Sequence, residues 1–209
     1  MGSRLMHAII ANRMADALQI QDKPSFLLGS LAPDAVSPKD ASHFFTGDIR
    51  DYSRSIDYKG FLYKYQSMEN DPYLWGYFTH LIADHIWLKG FYLPWLRNRM
   101  ENNPEVLQLY HNDFRLLNGK LLDYYGCHEE LREILSHRPP IADLQEVSSQ
   151  EVEAFIPLVM EDMGYEPSVL DEKLQVFTLD QIVGYMETSV ELGIRHLRTM
   201  PGIKPAIMA

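Results

Sequence analysis

Five residues have the types and spacing for chemistry: His7, Asp34, His43, His80 and Asp84. His80 and Asp84 stand four apart in His80-Leu-Ile-Ala-Asp84. On an α-helix that separation is roughly 40° of rotation, so both side chains leave one face. An imidazole nitrogen and a carboxylate oxygen one turn apart can grip a single divalent ion, or form a buried His–Asp hydrogen bond. The flanks Leu74-Trp75-Gly76-Tyr77-Phe78 and Ile86-Trp87-Leu88 are apolar. An ionised carboxylate buried among them needs a cation or a donor network. His85 lies roughly 140° from His80 and is expected to face elsewhere.

Asp34 follows Gly29-Ser-Leu-Ala-Pro33, and His43 opens His43-Phe44-Phe45. Either a turn or a ligand suits Asp34, and either a packed ring or a ligand suits His43. His7 falls near the start of the first amphipathic stretch, where solvation or capping is the ordinary role. Glu133 and His137 form an i, i+4 surface pair, and Arg50, Arg54, Lys59 and Lys64 read as solvated surface near the Asp34–His43 loop. No phosphate-cradling Gly loop, nucleophile elbow or dinucleotide fingerprint occurs.

The elements that must position these residues read as helices. Apolar residues at Leu5, Ile9, Met14, Ala17 and Leu18 mark a helix over 5–20, with a break at Pro24 and a short apolar run over 26–31. Residues 36–55 read as an ordered loop and 58–68 as helix. Pro72 suits a first turn, and the apolar segment 73–89 reads as a buried helix. Its aromatics, with Tyr92 and Trp95, are expected in the core. Further helices are predicted over 91–100, 105–125 and 129–135. Ser148 with Glu151 and Thr178 with Gln181 are capping-box patterns ahead of helices to Met163 and Met200, the first bent or divided at Pro157. No β alternation or internal repeat is visible. The expected fold is all-α, one multi-helix domain: a metal-binding core over 1–138 with C-terminal helices over 139–209 packed on it.

The chain has 209 residues, 46% of them hydrophobic and 23% charged, as a folded globular protein does. Its net charge of −10 argues against general affinity for duplex nucleic acid or anionic membranes. One cysteine, Cys127, excludes an intramolecular disulfide and a Cys-rich zinc module. No targeting segment or membrane span is legible, so a cytoplasmic location is expected.

Three segments in order resemble the zinc-dependent phospholipase C family, whose helical scaffold fungal zinc nucleases share. His7-Ala-Ile-Ile-Ala-Asn12-Arg13 is similar to its first-helix motif. Gly29-Ser-Leu-Ala-Pro33-Asp34 with Ala41-Ser42-His43-Phe44 is similar to its Ala-x-Asp loop and Ser-His-Phe segment. Gly76-Tyr-Phe-Thr-His80-Leu-Ile-Ala-Asp84 is similar to its central metal helix. The resemblance spans roughly residues 5–90. It implies that Asp34, His43, His80 and Asp84 hold one Zn²⁺, and that His7 and Asp84 contribute to a second metal, with Asp84 bridging. It also makes Asp34 the residue that orients or deprotonates the attacking water. Three departures stand out. Leu88-Lys89-Gly90 offers no His after the metal helix, and His111-Asn-Asp-Phe-Arg115 stands where the family has HxxxE. The family's N-terminal Trp ligand also has no counterpart, so one of three zincs is expected to be absent. Arg115 and His111 become candidates to bind substrate phosphate instead.

The function expected is a zinc-dependent phosphoesterase that uses a zinc-bound water on a small, soluble phosphate ester. The alternative is a non-catalytic helical protein that keeps the scaffold to bind a metal or a partner. An HD-type phosphohydrolase fits less well, because only the reverse order Asp84-His85 occurs.

Overall fold

The computed structural model describes residues 3–200, and helices dominate it. Helix α1 (Arg4–Leu18) begins where Ser3 Oγ accepts a hydrogen bond from the Met6 N–H at 3.2 Å. Helix α2 (Lys23–Leu31) begins at Asp22, whose carboxylate accepts from the Ser25 N–H at 3.1 Å. Pro24, expected as a break, instead lies in the first turn of α2, where an N–H has no intrahelical partner to lose. A 3₁₀ turn, Ala32–Ala35, follows directly and carries Asp34. Helix α3 (Tyr58–Lys64) stops short of the predicted Met68, and Gln66–Met68 forms a separate 3₁₀ turn. Helix α4 (Pro72–Trp87) is capped by Asp71, which accepts from the Tyr73 N–H at 2.9 Å.

Two larger features also depart from the sequence reading. Phe45–Thr46 (β1) pairs antiparallel with Ser55–Ile56 (β2), where only loop was expected. Two residues are too few for an alternation to register. The expected break between residues 89 and 91 is also absent. The chain runs from α4 through a π-helical segment, Leu88–Leu96, into α5 (Arg97–Asn102). Pro94 lies inside that segment and lacks the N–H that an i→i−4 ladder requires.

Helices α6 (Glu105–Tyr125), α7 (His128–Ser136), α8 (Ser149–Asp162) and α9 (Leu179–Leu197) complete the all-α architecture. Both capping boxes form, at Ser148–Glu151 and Thr178–Gln181. Pro157 does not divide α8; it sits on the exposed face, where water can satisfy the carbonyl one turn back.

The closest helix pair is α2 with α4. A Cβ on Gly29 would lie 1.9 Å from the Tyr73 carbonyl oxygen, and one on Gly76 would lie 1.8 Å from that of Phe26. Only glycine at both positions lets these backbones touch, and the crossing carries Ser30 and Asp34 up to the polar face of α4. Helix α9 packs on α1 and α4, and α8 packs on the turn holding Asp34. The C-terminal helices thus rest on the elements that carry the five candidate residues; 201–209 lie outside the described residues. Tyr73, Tyr77 and Trp87 are fully buried and Trp75 nearly so, as predicted, whereas Tyr92 and Trp95 are half-buried. Among the described residues, no helix is long and apolar enough to cross a membrane.

Candidate metal centre

Four parts of the chain deliver five side chains to one buried point. His7 comes from the second turn of α1, Asp34 from the 3₁₀ turn after α2, His43 from the loop before β1, and His80 and Asp84 from α4. His43 Nε2 lies 3.2 Å from His80 Nε2, 3.3 Å from Asp84 Oδ2 and 3.6 Å from Asp34 Oδ1. His80 Nε2 lies 3.8 Å from Asp84 Oδ2, and His7 Nε2 lies 3.3 Å from Asp84 Oδ1. The two oxygens of Asp84 therefore face different imidazoles. The His7 ring also stacks on His80, with centroids 3.7 Å apart and planes 16° apart. His7–Asp34–His80 and His43–His80–Asp84 each present three donor atoms within 4.8 Å of one another. These buried groups form a set able to hold a metal ion.

The ring orientations are fixed from outside the cluster. His80 Nδ1 lies 2.7 Å from the Ser30 carbonyl oxygen, which only accepts, so Nδ1 carries the proton. His43 Nδ1 lies 3.1 Å from the Lys39 carbonyl oxygen and 3.1 Å from Ser42 Oγ. Ser42 Oγ donates to the Pro33 carbonyl at 2.8 Å, and Tyr77 Oη donates to the Ser42 carbonyl at 2.6 Å. These assignments rest on the partners' chemistry. With Nδ1 engaged, a neutral imidazole at each position turns its Nε2 lone pair toward the other ring and the nearby carboxylates. Two such lone pairs at 3.2 Å repel unless a proton or a metal ion sits among them. The donor set fits a divalent transition metal: imidazole nitrogens and carboxylate oxygens, with His43 and His80 each oriented by a carbonyl through the other nitrogen.

The charge states agree with that fit. Burial pushes the His80 pKa well down, and His7 adds to the effect against the opposing pull of Asp34 and Asp84, so His80 is a neutral imidazole at pH 7. Burial alone would raise the Asp34 and Asp84 pKa values. Contact with His43 and the field of His80 outweigh it at Asp34; contact with His7 and the field of His80 help to outweigh it at Asp84. Both carboxylates sit well below their usual range and are ionised. Neither ring nitrogen of His7 makes a hydrogen bond; its 3.3 Å approach to Asp84 lacks hydrogen-bond alignment. A buried imidazole with neither nitrogen hydrogen-bonded is unsatisfied, and a metal ion is one partner that would satisfy it.

Asp34 connects this knot to solvent. It lines an open cleft of about 610 Å³ together with Lys39, Tyr110, His111, Phe114, Arg115, and Asn118. Residues from α8 and the start of α1 form the opposite wall. The structure thus places the two predicted phosphate-binding candidates, His111 and Arg115, at the mouth of the site. Arg115 is held loosely, 3.2 Å from Asn112 Oδ1 and 3.7 Å from Glu172, both on the surface. Sequence reasoning missed Lys39, whose ammonium contacts Asp34 Oδ1. It also missed Asn118, whose Oδ1 is buried without a partner. His111, Arg115 and Asn118 stand at i, i+4 and i+7, so helical spacing was a usable signal for Asn118. No such signal marked Lys39, because the loop folds back on itself.

Other candidates lie outside the centre. His85 faces Tyr58, with centroids 5.4 Å apart. Arg54 stacks over Phe45 at 4.2 Å and pairs with Asp40, while Phe45 stacks on His43; its role is to brace the His43 loop. Lys64 pairs with Glu146, and His137 Nδ1 bonds the Glu133 carbonyl. Burial pushes the Cys127 thiol up to about 11, so it is protonated at neutral pH. Comparison with protein-family models, with characterised proteins and with solved structures found no match.

Proposed function

We propose that this protein is a metal-dependent hydrolase, a phosphoesterase with zinc as its ion and a soluble phosphate ester as its substrate. One observation carries the reading: two buried imidazoles, each anchored by a carbonyl on Nδ1, aim their Nε2 atoms at one another across 3.2 Å, with two ionised carboxylates alongside. The order of the segments resembling the zinc-dependent phospholipase C family supports the same reading. When bound, the ion would acidify water and neutralise phosphoryl oxygens. Asp34, which alone among the five lines the cleft, takes the proton of the attacking water on a carboxylate oxygen. Lys39, His111 and Arg115 offer N–H donors to the anionic oxygens of the ester, and Phe114, Phe155 and Leu158 receive its apolar part. The net charge of −10 disfavours work on an anionic bilayer and favours a small dissolved ester, with the cytoplasm as the proposed setting.

A second reading has its own observation. His7, His43, His80 and Asp84 are at most 1% exposed, as the ligands of a closed structural metal site are. The test is elemental analysis of protein purified without added metal, then a screen of chromogenic phosphodiesters and monoesters. The hydrolase reading expects close to a full equivalent of transition metal, and turnover that Asp84→Asn abolishes. Full metal with no turnover selects the structural reading, and turnover that survives Asp84→Asn removes the proposed centre from the chemistry.

A further inference from the structure

Lys39 sits at the boundary between the buried centre and the cleft, and it can serve either one. Its ammonium contacts Asp34 Oδ1, the oxygen that also lies 3.6 Å from His43 Nε2. The Lys39 side chain is 48% exposed, whereas that of Asp34 is 5% exposed. A buried carboxylate needs a cation beside it. In the chain without a metal, Lys39 supplies that charge from the cleft side. A divalent ion among the imidazoles would supply it from the inside, and two cations on one carboxylate repel each other. Lys39 is long, flexible and half in water, so it is the one that can leave. The same cleft holds Arg115 and His111 as its neighbours. An ammonium freed there is placed for an anion.

We propose that Lys39 is an exchangeable counterion: it neutralises Asp34 when no metal is bound, and it binds the substrate's phosphate group when metal takes over Asp34. This rests on the metal-dependent phosphoesterase reading and adds a residue that couples the two ligands. A residue that competes with the metal and assists the anion gives its removal opposite signs in two titrations. A lysine that merely props up the loop gives the same sign in both.

The experiment titrates wild type, Lys39→Met and Lys39→Arg with zinc, by competition against a chromogenic chelator. The zinc-loaded proteins are then titrated calorimetrically with inorganic phosphate. Lys39→Met is expected to bind zinc about fivefold tighter or more, and phosphate weaker by a similar factor. Lys39→Arg keeps the charge and is expected to stay near wild type in both. Looser zinc binding, or unchanged phosphate binding, in a Lys39→Met protein that still loads zinc overturns this proposal and leaves the metal centre standing. A wild type that takes up no divalent ion overturns the centre and the proposal together.

Discussion

Asp113 on α6 and Asp84 on α4 are both carboxylates with no exposed surface, yet their surroundings are of opposite kinds. Asp113 accepts hydrogen bonds from three consecutive backbone N–H groups: Gln175 at 2.8 Å, Val176 at 2.7 Å and Phe177 at 3.0 Å. Donors meet an acceptor, and the loop before α9 is tied to α6. Asp84 meets the Nε2 atoms of His7, His43 and His80 at 3.3–3.8 Å, and those of His43 and His80 also face one another at 3.2 Å. The first arrangement pairs donors with an acceptor. The second sets carboxylate oxygens among imidazole nitrogens, a set that could hold a cation. Burial is the same at the two sites, so the polarity of the facing atoms separates a clamped structural aspartate from a candidate ligand.

One isosteric substitution therefore has different consequences at the two positions. Asp113→Asn turns an NH₂ group toward backbone donors and leaves at least one of them buried and unpaired. Its unfolding free energy is expected to fall by about 3 kcal/mol in urea titrations, with metal content unchanged. Asp84→Asn gives the facing imidazole lone pairs an N–H to accept. Its metal affinity is expected to fall about a hundredfold, while its stability in chelator matches or exceeds that of the wild type. Equal destabilisation of both variants in chelator would erase the distinction between the two sites.

The sequence showed the Asp84 site more readily than the Asp113 site. His80-x-x-x-Asp84 is a local pattern, and a helix converts its spacing into a shared face without any help from the fold. Likewise Pro72 and the capping residues Ser148 and Thr178 act within one turn, and each begins a helix where its type predicts. Asp113 finds its partners 62 to 64 residues away, and nothing local distinguishes it from a surface aspartate. Lys39 escaped notice for a related reason: its contact with Asp34 depends on a loop whose path is set by β1–β2 pairing and by Ser42 bonding back to the Pro33 carbonyl. The π segment was hidden because the sequence reading ended one helix at residue 89 and opened another at 91, whereas the buried Leu88, Leu93 and Leu96 hold the chain wound past Gly90. Long-range satisfaction decides these features, and a pattern of neighbours does not carry it.

The comparison can be sharpened through the helix crossing, which only the Asp84 site needs. Gly76→Ala would place its methyl 1.8 Å from the Phe26 carbonyl oxygen, so α2 and α4 must separate. Separation withdraws the Ser30 carbonyl from His80 and shifts Asp34. A loss of about 2 kcal/mol is expected, with metal affinity reduced alongside it. Slowly exchanging amides at residues 175–177 should keep their protection relative to global unfolding, because the Asp113 clamp does not use this crossing. Metal affinity unchanged in a destabilised Gly76→Ala protein would mean that the crossing does not position the centre.

The smallest effect is expected at Ser42, one bond further from the ion. Ser42 Oγ lies 3.1 Å from His43 Nδ1, but it donates to the Pro33 carbonyl at 2.8 Å, so it bridges the two loop segments that carry Asp34 and His43. Ser42→Ala removes that bridge and leaves His43 Nδ1–H its own bond to the Lys39 carbonyl at 3.1 Å. The ring keeps its tautomer and loses only part of its orientation. Groups that orient a ligand typically contribute ten- to hundredfold in affinity, and retention of one of two contacts puts Ser42→Ala near the lower end, about tenfold. Competition with a chelator measures it, alongside Ser189→Ala as control, a fully buried serine on α9 that bonds the Tyr185 carbonyl at 2.8 Å. If the two serines weakened metal binding equally, loss of packing would explain both, and the orienting role assigned to Ser42 would fall.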